Sequence, residues 1–300
     1  MSASGTLQRS SAPRPSAVLE LLKPVTWFPP MWAYLCGVAS SGDAFSGRWG
    51  EVALGAVLAG PIVCGMSQAA NDWCDRHVDA INEPSRPIPP GRVPPLWALS
   101  IAVAMSAMAL AVGWLLGPWG FAATAVAVLC AWAYSAEPLR LKRSGIVGPG
   151  VVGLCYEGLP WFTGSAVMSA AAPRWEVAAV ACLYALGAHG IMTLNDFKAL
   201  EGDRATGLRS LPVVLGPARA ARVACIAMIV PQVAVAAALV AWGLWLSAGA
   251  VAVSLLLQGA AMRVLLRDPL GRAPWYNATG VSLYVLGMMA AAVGLGSMAP

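Results

Sequence analysis

Long apolar segments alternate with short polar ones along nearly the whole chain. Most have about the 20 residues that an α-helix needs to cross the hydrocarbon core of a bilayer. The pattern predicts an all-α polytopic membrane bundle, with one transmembrane domain at residues 23–300 after a polar cytoplasmic tail at residues 1–22. The nine predicted spans are approximately 25–41, 52–72, 95–116, 118–135, 146–169, 175–195, 217–240, 242–263 and 276–298.

The composition supports a membrane protein and excludes most soluble classes. Hydrophobic residues make up 58% of the chain and charged residues 11%, and the mean hydropathy is +0.67. Soluble domains carry roughly 25% charged residues. So few charges could not cover a water-soluble fold, which excludes a disordered chain, a nucleic-acid-binding domain and a soluble enzyme. The seven cysteines are scattered without a CxxC pair, and we expect them to be packing residues.

The positions of lysine and arginine indicate the orientation of the bundle. With a cytoplasmic N-terminus, 17 of the 19 basic residues fall in cytoplasmic segments, and only Arg48 and Arg174 fall outside. This positive-inside asymmetry predicts a periplasmic C-terminus and chemistry on the cytoplasmic face. The Ser-rich N-terminal segment matches neither a signal peptide nor a full transit peptide, so we expect a bacterial inner, intracytoplasmic membrane.

Two acidic clusters stand at the cytoplasmic ends of the second and sixth predicted spans. In the first, Asp72, Asp75 and Asp79 fall within about 60° of arc on one helical face, and Asn71 lies one turn before Asp75. Three carboxylates on one face repel each other unless a cation lies between them, and such oxygen ligands suit Mg²⁺. The alternative is a solvated helix end that its own basic residues neutralise.

The second cluster repeats the Asn-Asp start on the sixth span. Asn195 and Asp196 open it, and Asp203 shares a helical face with Asp196 if the helix continues past Gly202. Asp72 and Asp196 are 124 residues apart, which suggests two similar halves facing a common cavity. The predicted Mg²⁺ ligands are Asn71, Asp72, Asp75, Asp79, Asn195, Asp196 and Asp203.

Basic residues lie close to both clusters in the sequence. Arg86 is in a Pro-rich loop directly after the first cluster, Lys142 follows the fourth span, and Lys198 lies within the second cluster. Together with Mg²⁺ they would neutralise a departing diphosphate. For any one of them, anchoring of a cytoplasmic loop is an equally good explanation.

Five runs of sequence resemble the UbiA-type intramembrane prenyltransferases and, within that superfamily, the chlorophyll and bacteriochlorophyll synthases. The resemblance includes the Asn-Asp starts of both acidic clusters. It departs from the family at Leu200, Glu201 and Gly202, where related enzymes carry further Asp, so the second ligand set stays open. The runs are residues 23–37, 71–91, 134–142, 156–164 and 195–213.

The resemblance implies a bundle of nine helices around a central cavity and a group-transfer reaction. A geranylgeranyl or phytyl group would move from its diphosphate to the C17 propionate of (bacterio)chlorophyllide a, the terminal esterification of (bacterio)chlorophyll biosynthesis. Asp72, Asp75 and Asp196 would act through Mg²⁺, and the acceptor carboxylate is already ionised, so no general base is required. The alternatives are a quinone precursor or haem as acceptor or, in a different class, a membrane transporter. We expect other pigment-biosynthesis membrane proteins as partners.

Five further side chains are candidates for a tetrapyrrole or prenyl pocket. The aromatic rings of Tyr134, Tyr156 and Trp161 could flank an allylic cation or serve in packing. His189, deep in the sixth span, could ligate the central Mg of a chlorophyllide or form a hydrogen bond between helices. Glu157, in the fifth span, could contact the tetrapyrrole or a basic partner.

Overall fold

The computed structural model describes residues 12–43 and 47–298, and this part of the chain is α-helical without a β-strand. The predicted all-α class is therefore confirmed. The helices are α1 (Pro15–Leu22), α2 (Phe28–Ser41), α3 (Trp49–Val57), α4 (Gly65–Asn82), α5 (Pro95–Leu115), α6 (Pro118–Ser135), α7 (Val147–Gly153), α8 (Leu159–Ser169), α9 (Trp175–Asn195), α10 (Leu200–Thr206), α11 (Leu211–Leu215), α12 (Pro217–Ala241), α13 (Trp245–Leu265) and α14 (Pro269–Gly296).

Three pairs of these helices are continuous with each other. In the first pair, the π-helical segment between α3 and α4 contains Pro61, which lacks the N–H of a regular helical hydrogen bond. π-Helical segments occur often at functional sites, and here one precedes α4, ending eight residues before Asp72, and the other lies in the middle of the fifth predicted span. The connecting segments are Leu58–Cys64 between α3 and α4, Leu154–Gly158 between α7 and α8, and the 3₁₀ turn Asp196–Ala199 between α9 and α10.

Seven helices among the described residues are long and apolar enough to cross a membrane, so the chain is an integral membrane protein. They coincide with the second to fourth and the sixth to ninth predicted spans. The count of nine is not confirmed. The first predicted span contains α2, which has only 14 residues because it begins at Phe28 and ends before Gly42 in a left-handed conformation. The fifth contains the continuous run 147–169.

A short helix lies before residue 23, where the transmembrane domain is predicted to begin. Residues 1–11, including Arg9, lie outside the described residues, but α1 already packs against α4, with Ala17 and Leu21 buried. Residues 15–22 therefore form a helix that packs against the bundle. The apolar residues of this short segment recur at helical spacing, which the nearby polar residues obscured in the sequence.

Buried apolar side chains form two large clusters that divide the bundle into halves. One joins α9, α12, α13 and α14 with the middle of α2, and it contains Tyr184, Tyr276 and Tyr284. The other joins α1, α4, α5 and α6 with the π-helical segment before α4. Each half carries one acidic cluster at the end of a long helix, as the sequence predicted.

Two glycines allow α2 and α8 to pack closely. A Cβ added to Gly37 would lie 2.0 Å from the carbonyl oxygen of Trp161, and one added to Gly164 would lie 2.1 Å from the carbonyl oxygen of Tyr34. Such contacts leave no room for any side chain, and close backbone approach is how helices associate within membranes.

Backbone hydrogen bonds join two loops on the face that carries the acidic clusters. The loop after α6 and the loop after α10 pair through a parallel bridge between Ser144 and Arg209. The N–H of Gly145 donates to the carbonyl oxygen of Arg209, and the N–H of Arg209 donates to that of Arg143. The two halves are therefore connected beside the candidate site.

Candidate active site

Asp72 is the most deeply buried carboxylate of the first cluster, and two cations contact it. Its side chain is 1% exposed, Lys23 Nζ lies 2.7 Å from its Oδ1, and Arg86 Nη1 lies 3.3 Å from the same oxygen. Its Oδ2 is buried and has no hydrogen-bond partner among the described residues. Because an unpaired buried carboxylate oxygen is costly, Asp72 presents an open position to a further cation or donor.

The other two carboxylates on this part of α4 are also paired with cations from loops. Arg86 Nη1 donates to Asp79 Oδ2 at 2.9 Å. Arg140 Nη2 donates to Asp75 Oδ1 at 3.0 Å, and Lys142 contacts Asp75 Oδ2. Protein cations thus neutralise the three carboxylates, and a diphosphate arriving here would meet several lysine and arginine donors.

Two of these cations hold a strained backbone conformation. The described residues include three non-glycine residues with positive φ, and two of them are Lys23 (φ 47°) and Arg140 (φ 36°). The left-handed conformation costs a non-glycine residue roughly 1–2 kcal/mol. Strain of this kind clusters at functional sites, and here it occurs at side chains that contact the acidic cluster.

Asn71 is oriented by a neighbouring helix. Its Nδ2 donates to the hydroxyl of Ser135, at the end of α6, over 3.0 Å. Because the nitrogen is used in this way, the carbonyl oxygen of Asn71 remains available for a ligand one residue before Asp72.

The second cluster lines a cavity of about 120 Å³ together with residues from the first half of the chain. Asp196 and Asp203 line it together with Tyr134 and Lys142. Ser144, from the loop after α6, and Ser210, from the segment that follows α10, complete the polar part of the lining. Here the structure brings the two halves to one site.

Lys142 connects the two acidic clusters. It contacts Asp75 of the first cluster and lines the cavity that contains Asp196 and Asp203. Burial lowers the pKa of the Lys142 ammonium below its usual value, and the carboxylate of Asp75 opposes that shift. An added anion in the cavity would therefore favour the charged form of this lysine.

The donor set fits Mg²⁺, but not as one seven-residue site. Among the residues that the structure describes, no three His, Cys, Asp or Glu side chains converge on a point where a metal could bind. In the first cluster a protein cation already lies between two carboxylates, since Arg86 Nη1 contacts both Asp72 and Asp79. The open oxygen of Asp72 and the carboxylates of Asp196 and Asp203 suit an ion that takes one or two carboxylates and completes its shell with phosphate oxygens and water.

The local structure of the second cluster differs from the prediction. The helix does not end at Gly202, which lies inside α10, and the interruption comes earlier, in the 3₁₀ turn that starts at Asp196. Lys198 is exposed and is not among the residues that line the cavity, although its charge acts on Asp196, so its role as a diphosphate contact stays a prediction.

Two of the predicted pocket residues lie near the acidic clusters. Tyr134 lines the cavity with Asp196. Tyr156 lies in the second π-helical segment, where its hydroxyl accepts a hydrogen bond from Gln68 Nε2 at 3.1 Å and contacts Cys64 Sγ at 3.2 Å. Gln68 is one helical turn before Asp72, so this polar contact lies directly below the first cluster.

The other three predicted pocket residues are not brought to this cavity. Trp161 is fully buried in the core, where it stacks on Tyr184 with ring centroids 5.7 Å apart. Glu157 is buried, and its Oε2 has no hydrogen-bond partner within the described ranges. The Nε2 of His189 lies 3.1 Å from the carbonyl oxygen of Ile146, the residue before α7, and this hydrogen bond leaves that nitrogen unavailable to a metal.

Sequence reasoning missed four residues of the site. Lys23, Ser135 and Arg140 contact the first cluster, and Asn277 donates to Asn195 in the second. Lys23 and Arg140 belong to runs that carry the family resemblance, and that resemblance is the sequence signal that points to them. Nothing in the local sequence indicates Asn277, which is 82 positions from its partner.

Comparison with known proteins gives a family match over most of the chain. The UbiA prenyltransferase family matches residues 26–295. The bacteriochlorophyll synthase 33 kDa chain of Cereibacter sphaeroides is 64% identical over 292 residues, which cover 97% of both chains. The protein of the same name from Rhodobacter capsulatus is 63% identical and covers 94% of this chain and 93% of its own.

A solved structure shares the fold. The UbiA homologue from Archaeoglobus fulgidus bound to GPP and Mg²⁺ superimposes with a TM-score of 0.66 over 94% of this chain and 98% of that chain. The two sequences are 20% identical, so this likeness concerns the fold alone.

Proposed function

The chain belongs to the UbiA prenyltransferase family, and from that premise we propose that it esterifies the C17 propionate of (bacterio)chlorophyllide a with a geranylgeranyl or phytyl group. The observation that carries this proposal is the 64% identity to a bacteriochlorophyll synthase chain over 97% of both sequences. Among the two acceptors we favour bacteriochlorophyllide for the same reason. The reaction is the terminal esterification of pigment biosynthesis.

The cations of the site would hold the diphosphate of the prenyl donor. Lys23, Arg86, Arg140 and Lys142 all contact carboxylates of α4, and each can exchange that contact for a phosphate oxygen at the same place. Charge-assisted hydrogen bonds to phosphate are stronger than neutral ones, and arginine can form them in pairs. These residues would also orient the leaving group towards the two acidic clusters.

The acids would hold the metal that balances the charge of the diphosphate. Asp72, Asp196 and Asp203 are the best placed, since Asp72 has an unpartnered oxygen and the other two line the cavity. Mg²⁺, when bound, would neutralise the negative charge that builds up on the leaving diphosphate. The relative that binds GPP and Mg²⁺ supports this choice of ion by its fold.

The bond changes need no proton transfer by the protein. The bond between the allylic carbon and the diphosphate oxygen breaks, and the pair of electrons leaves with the diphosphate. An oxygen of the acceptor propionate, which is ionised at neutral pH, then forms the ester bond to the same carbon. The site must hold both substrates and exclude water, which would otherwise capture the allylic cation.

We also infer the membrane and the side on which the reaction occurs. The charge asymmetry supports an inner membrane protein with a cytoplasmic active site, since the basic loops that carry Arg86, Arg140 and Lys142 also form the diphosphate site. A reporter fused after Pro300 should behave as periplasmic. Cytoplasmic behaviour of that reporter would contradict the proposed orientation.

The experiment that tests the function compares acceptors. Purified protein in detergent receives labelled geranylgeranyl diphosphate, Mg²⁺ and one acceptor at a time: bacteriochlorophyllide a, chlorophyllide a, 4-hydroxybenzoate or haem. We expect a labelled ester with bacteriochlorophyllide and none with its C17 propionate methyl ester, which blocks the reacting oxygen. Transfer to 4-hydroxybenzoate or haem alone would refute the acceptor, and the absence of transfer to any acceptor would refute the activity.

A further inference from the structure

Each half of the molecule holds the asparagine of its Asn-Asp pair through a side chain of another helix. In the first half, Asn71 Nδ2 donates to Ser135 Oγ at 3.0 Å. In the second half, Asn277 Nδ2, on α14, donates to Asn195 Oδ1 at 2.8 Å. The two arrangements look alike, but the hydrogen bond engages the amide nitrogen of Asn71 and the carbonyl oxygen of Asn195.

The difference decides what each asparagine can offer to a ligand. Asn71 keeps its carbonyl oxygen available, whereas the carbonyl oxygen of Asn195 is occupied by Asn277. The Nδ2 of Asn195 faces the sulfur of Met192 at 3.7 Å, which is a weak acceptor. Asn195 is therefore poorly placed as the metal ligand that the sequence suggested.

Asn277 also carries an unsatisfied group of its own. Its Oδ1 is buried and has no hydrogen-bond partner in the part of the chain that the structure describes. A buried amide oxygen without a donor is unfavourable, and such groups in a native site call for an explanation. A donor brought by the bound ligands, such as a water of a hydrated cation, would satisfy it.

We propose that Asn277 is a positioning residue for the second acidic cluster. It fixes the amide of Asn195, the last residue of α9, and so holds the 3₁₀ turn that places Asp196 in the cavity that Lys142 also lines. The last helix thereby contributes to the metal and diphosphate site through one hydrogen bond. This inference rests on the proposed function.

A second amide pair in the same half of the molecule provides a matched control. Gln232 on α12 and Gln258 on α13 donate to each other at 3.1 and 2.8 Å, and both side chains are fully buried. This pair has the same chemistry and also joins two helices, but neither glutamine lines the cavity. A role of Asn277 in helix packing alone would make the two pairs equivalent.

The experiment measures cation binding as well as turnover. Asn277→Ala and Gln258→Ala are titrated with Mn²⁺ in detergent, with a non-ionising geranylgeranyl diphosphate analogue present, and bound ion is followed by electron paramagnetic resonance. Loss of a group that orients a ligand typically weakens metal affinity by roughly 10–100-fold. We expect such a loss in Asn277→Ala, an affinity like that of the wild type in Gln258→Ala, and similar decreases in melting temperature in both. Asn277→Ser gives the same readout if the alanine variant does not fold.

A double-mutant cycle tests whether Asn277 acts through Asn195. The double variant with Asn195→Ala should bind Mn²⁺ no more weakly than Asn195→Ala alone. Additive losses, equal losses in Asn277→Ala and Gln258→Ala, or unchanged binding in Asn277→Ala would each overturn the proposal. Failure of the proposed function looks different, because the wild-type protein itself would then neither bind Mn²⁺ with the analogue nor transfer the prenyl group.

Discussion

Two residues of the site keep a left-handed backbone that their side chains do not favour. The strain at Lys23 persists because its ammonium is needed beside Asp72, and this idea can be tested by comparing two glycine substitutions. One removes a strained backbone together with the charge, and the other removes a strained backbone alone. Lys23→Gly removes both the strain and the charge. We expect turnover to fall on the order of 10²–10³-fold, as for the loss of one electrostatic contact to a developing charge. Turnover at saturating substrates is the measurement.

Ala170 is the control for this substitution, because it has the same strain (φ 51°) and no charge. Ala170→Gly should raise the free energy of unfolding by roughly 0.5–1 kcal/mol, the difference between the left-handed penalty and the greater unfolded-state entropy of glycine. Its turnover should equal that of the wild type. If Lys23→Gly also keeps wild-type turnover, the ammonium has no part in the reaction.

Asp72→Asn tests the open oxygen of the first cluster. The substitution keeps the size of the side chain but removes the charge that holds a cation. We expect turnover to fall on the order of 10²–10³-fold and the remaining activity to need more Mg²⁺. Glu20→Gln is the control, because Glu20 pairs with Arg92 at the surface. An unchanged Mg²⁺ dependence in Asp72→Asn would reassign Asp72 to charge balance within the fold.

At the scale of single residues, the sequence predicted the contacts that depend on local spacing. The spacing of Asp72, Asp75 and Asp79 placed three acids on one face of α4, and the Pro-rich loop placed Arg86 next to them. The partners Ser135 and Asn277 depend on which helices are neighbours, which is set by tertiary packing and has no local signal.

The bridge between the two loops depends on a glycine. A Cβ at Gly145 would lie 2.5 Å from the carbonyl oxygen of Arg209 and 2.7 Å from the backbone nitrogen of Leu211. Gly145→Ala must therefore separate the loops, at a cost of roughly 1–3 kcal/mol for overpacking. Since these loops carry Lys142 and Ser210, we expect a lower melting temperature and a higher KM for the prenyl diphosphate.

Gly150→Ala is the matched control for Gly145→Ala. Gly150 lies in α7, five residues along the chain, and a Cβ there would meet nothing within 4 Å. Alanine favours a helix over glycine by about 1 kcal/mol, so this variant should be at least as stable as the wild type, with an unchanged KM. A Gly145→Ala protein with wild-type melting and KM would show that the bridge does not hold the site.

The helices themselves were largely predictable, and the exceptions have local causes. Hydropathy located the long helices, but it does not register the π-helical segment around Pro61 or the 3₁₀ turn at Asp196, because neither changes the apolar content. It also missed α1, whose eight residues are too few for a span. Helix interruptions of this kind arise from changes in single backbone hydrogen bonds. A hydropathy value averaged over a window of residues does not detect them.

At the scale of the whole molecule, the two halves meet at the acidic clusters. An apolar cavity lies further along the same helices. A second, mainly apolar cavity is lined by residues on three of the helical runs that also form the active site. Val63 precedes Asp72 by nine residues on one continuous helix, or about 14 Å, and Ala127 precedes Tyr134 by seven residues, or about 10 Å. The cavity itself is small, about 30 Å³. A geranylgeranyl chain whose diphosphate lies among the cations can span that distance, and we expect its far end to enter here as the lining side chains move apart.

The length of the prenyl group is therefore the property that a wall of this cavity should control. Ala127 is buried in the wall, and Ala122 lies on the exposed face of the same helix. Ala127→Phe fills the space that the last isoprene unit would occupy, and each methylene kept out of an apolar site forgoes about 0.8 kcal/mol. We expect kcat/KM for geranylgeranyl diphosphate to fall relative to geranyl diphosphate by roughly tenfold or more, whereas Ala122→Phe leaves the ratio unchanged. The measurement is competition between the two labelled donors for one acceptor; an unchanged ratio in a folded Ala127→Phe protein would place the chain elsewhere, along the lipid-facing surface of the bundle.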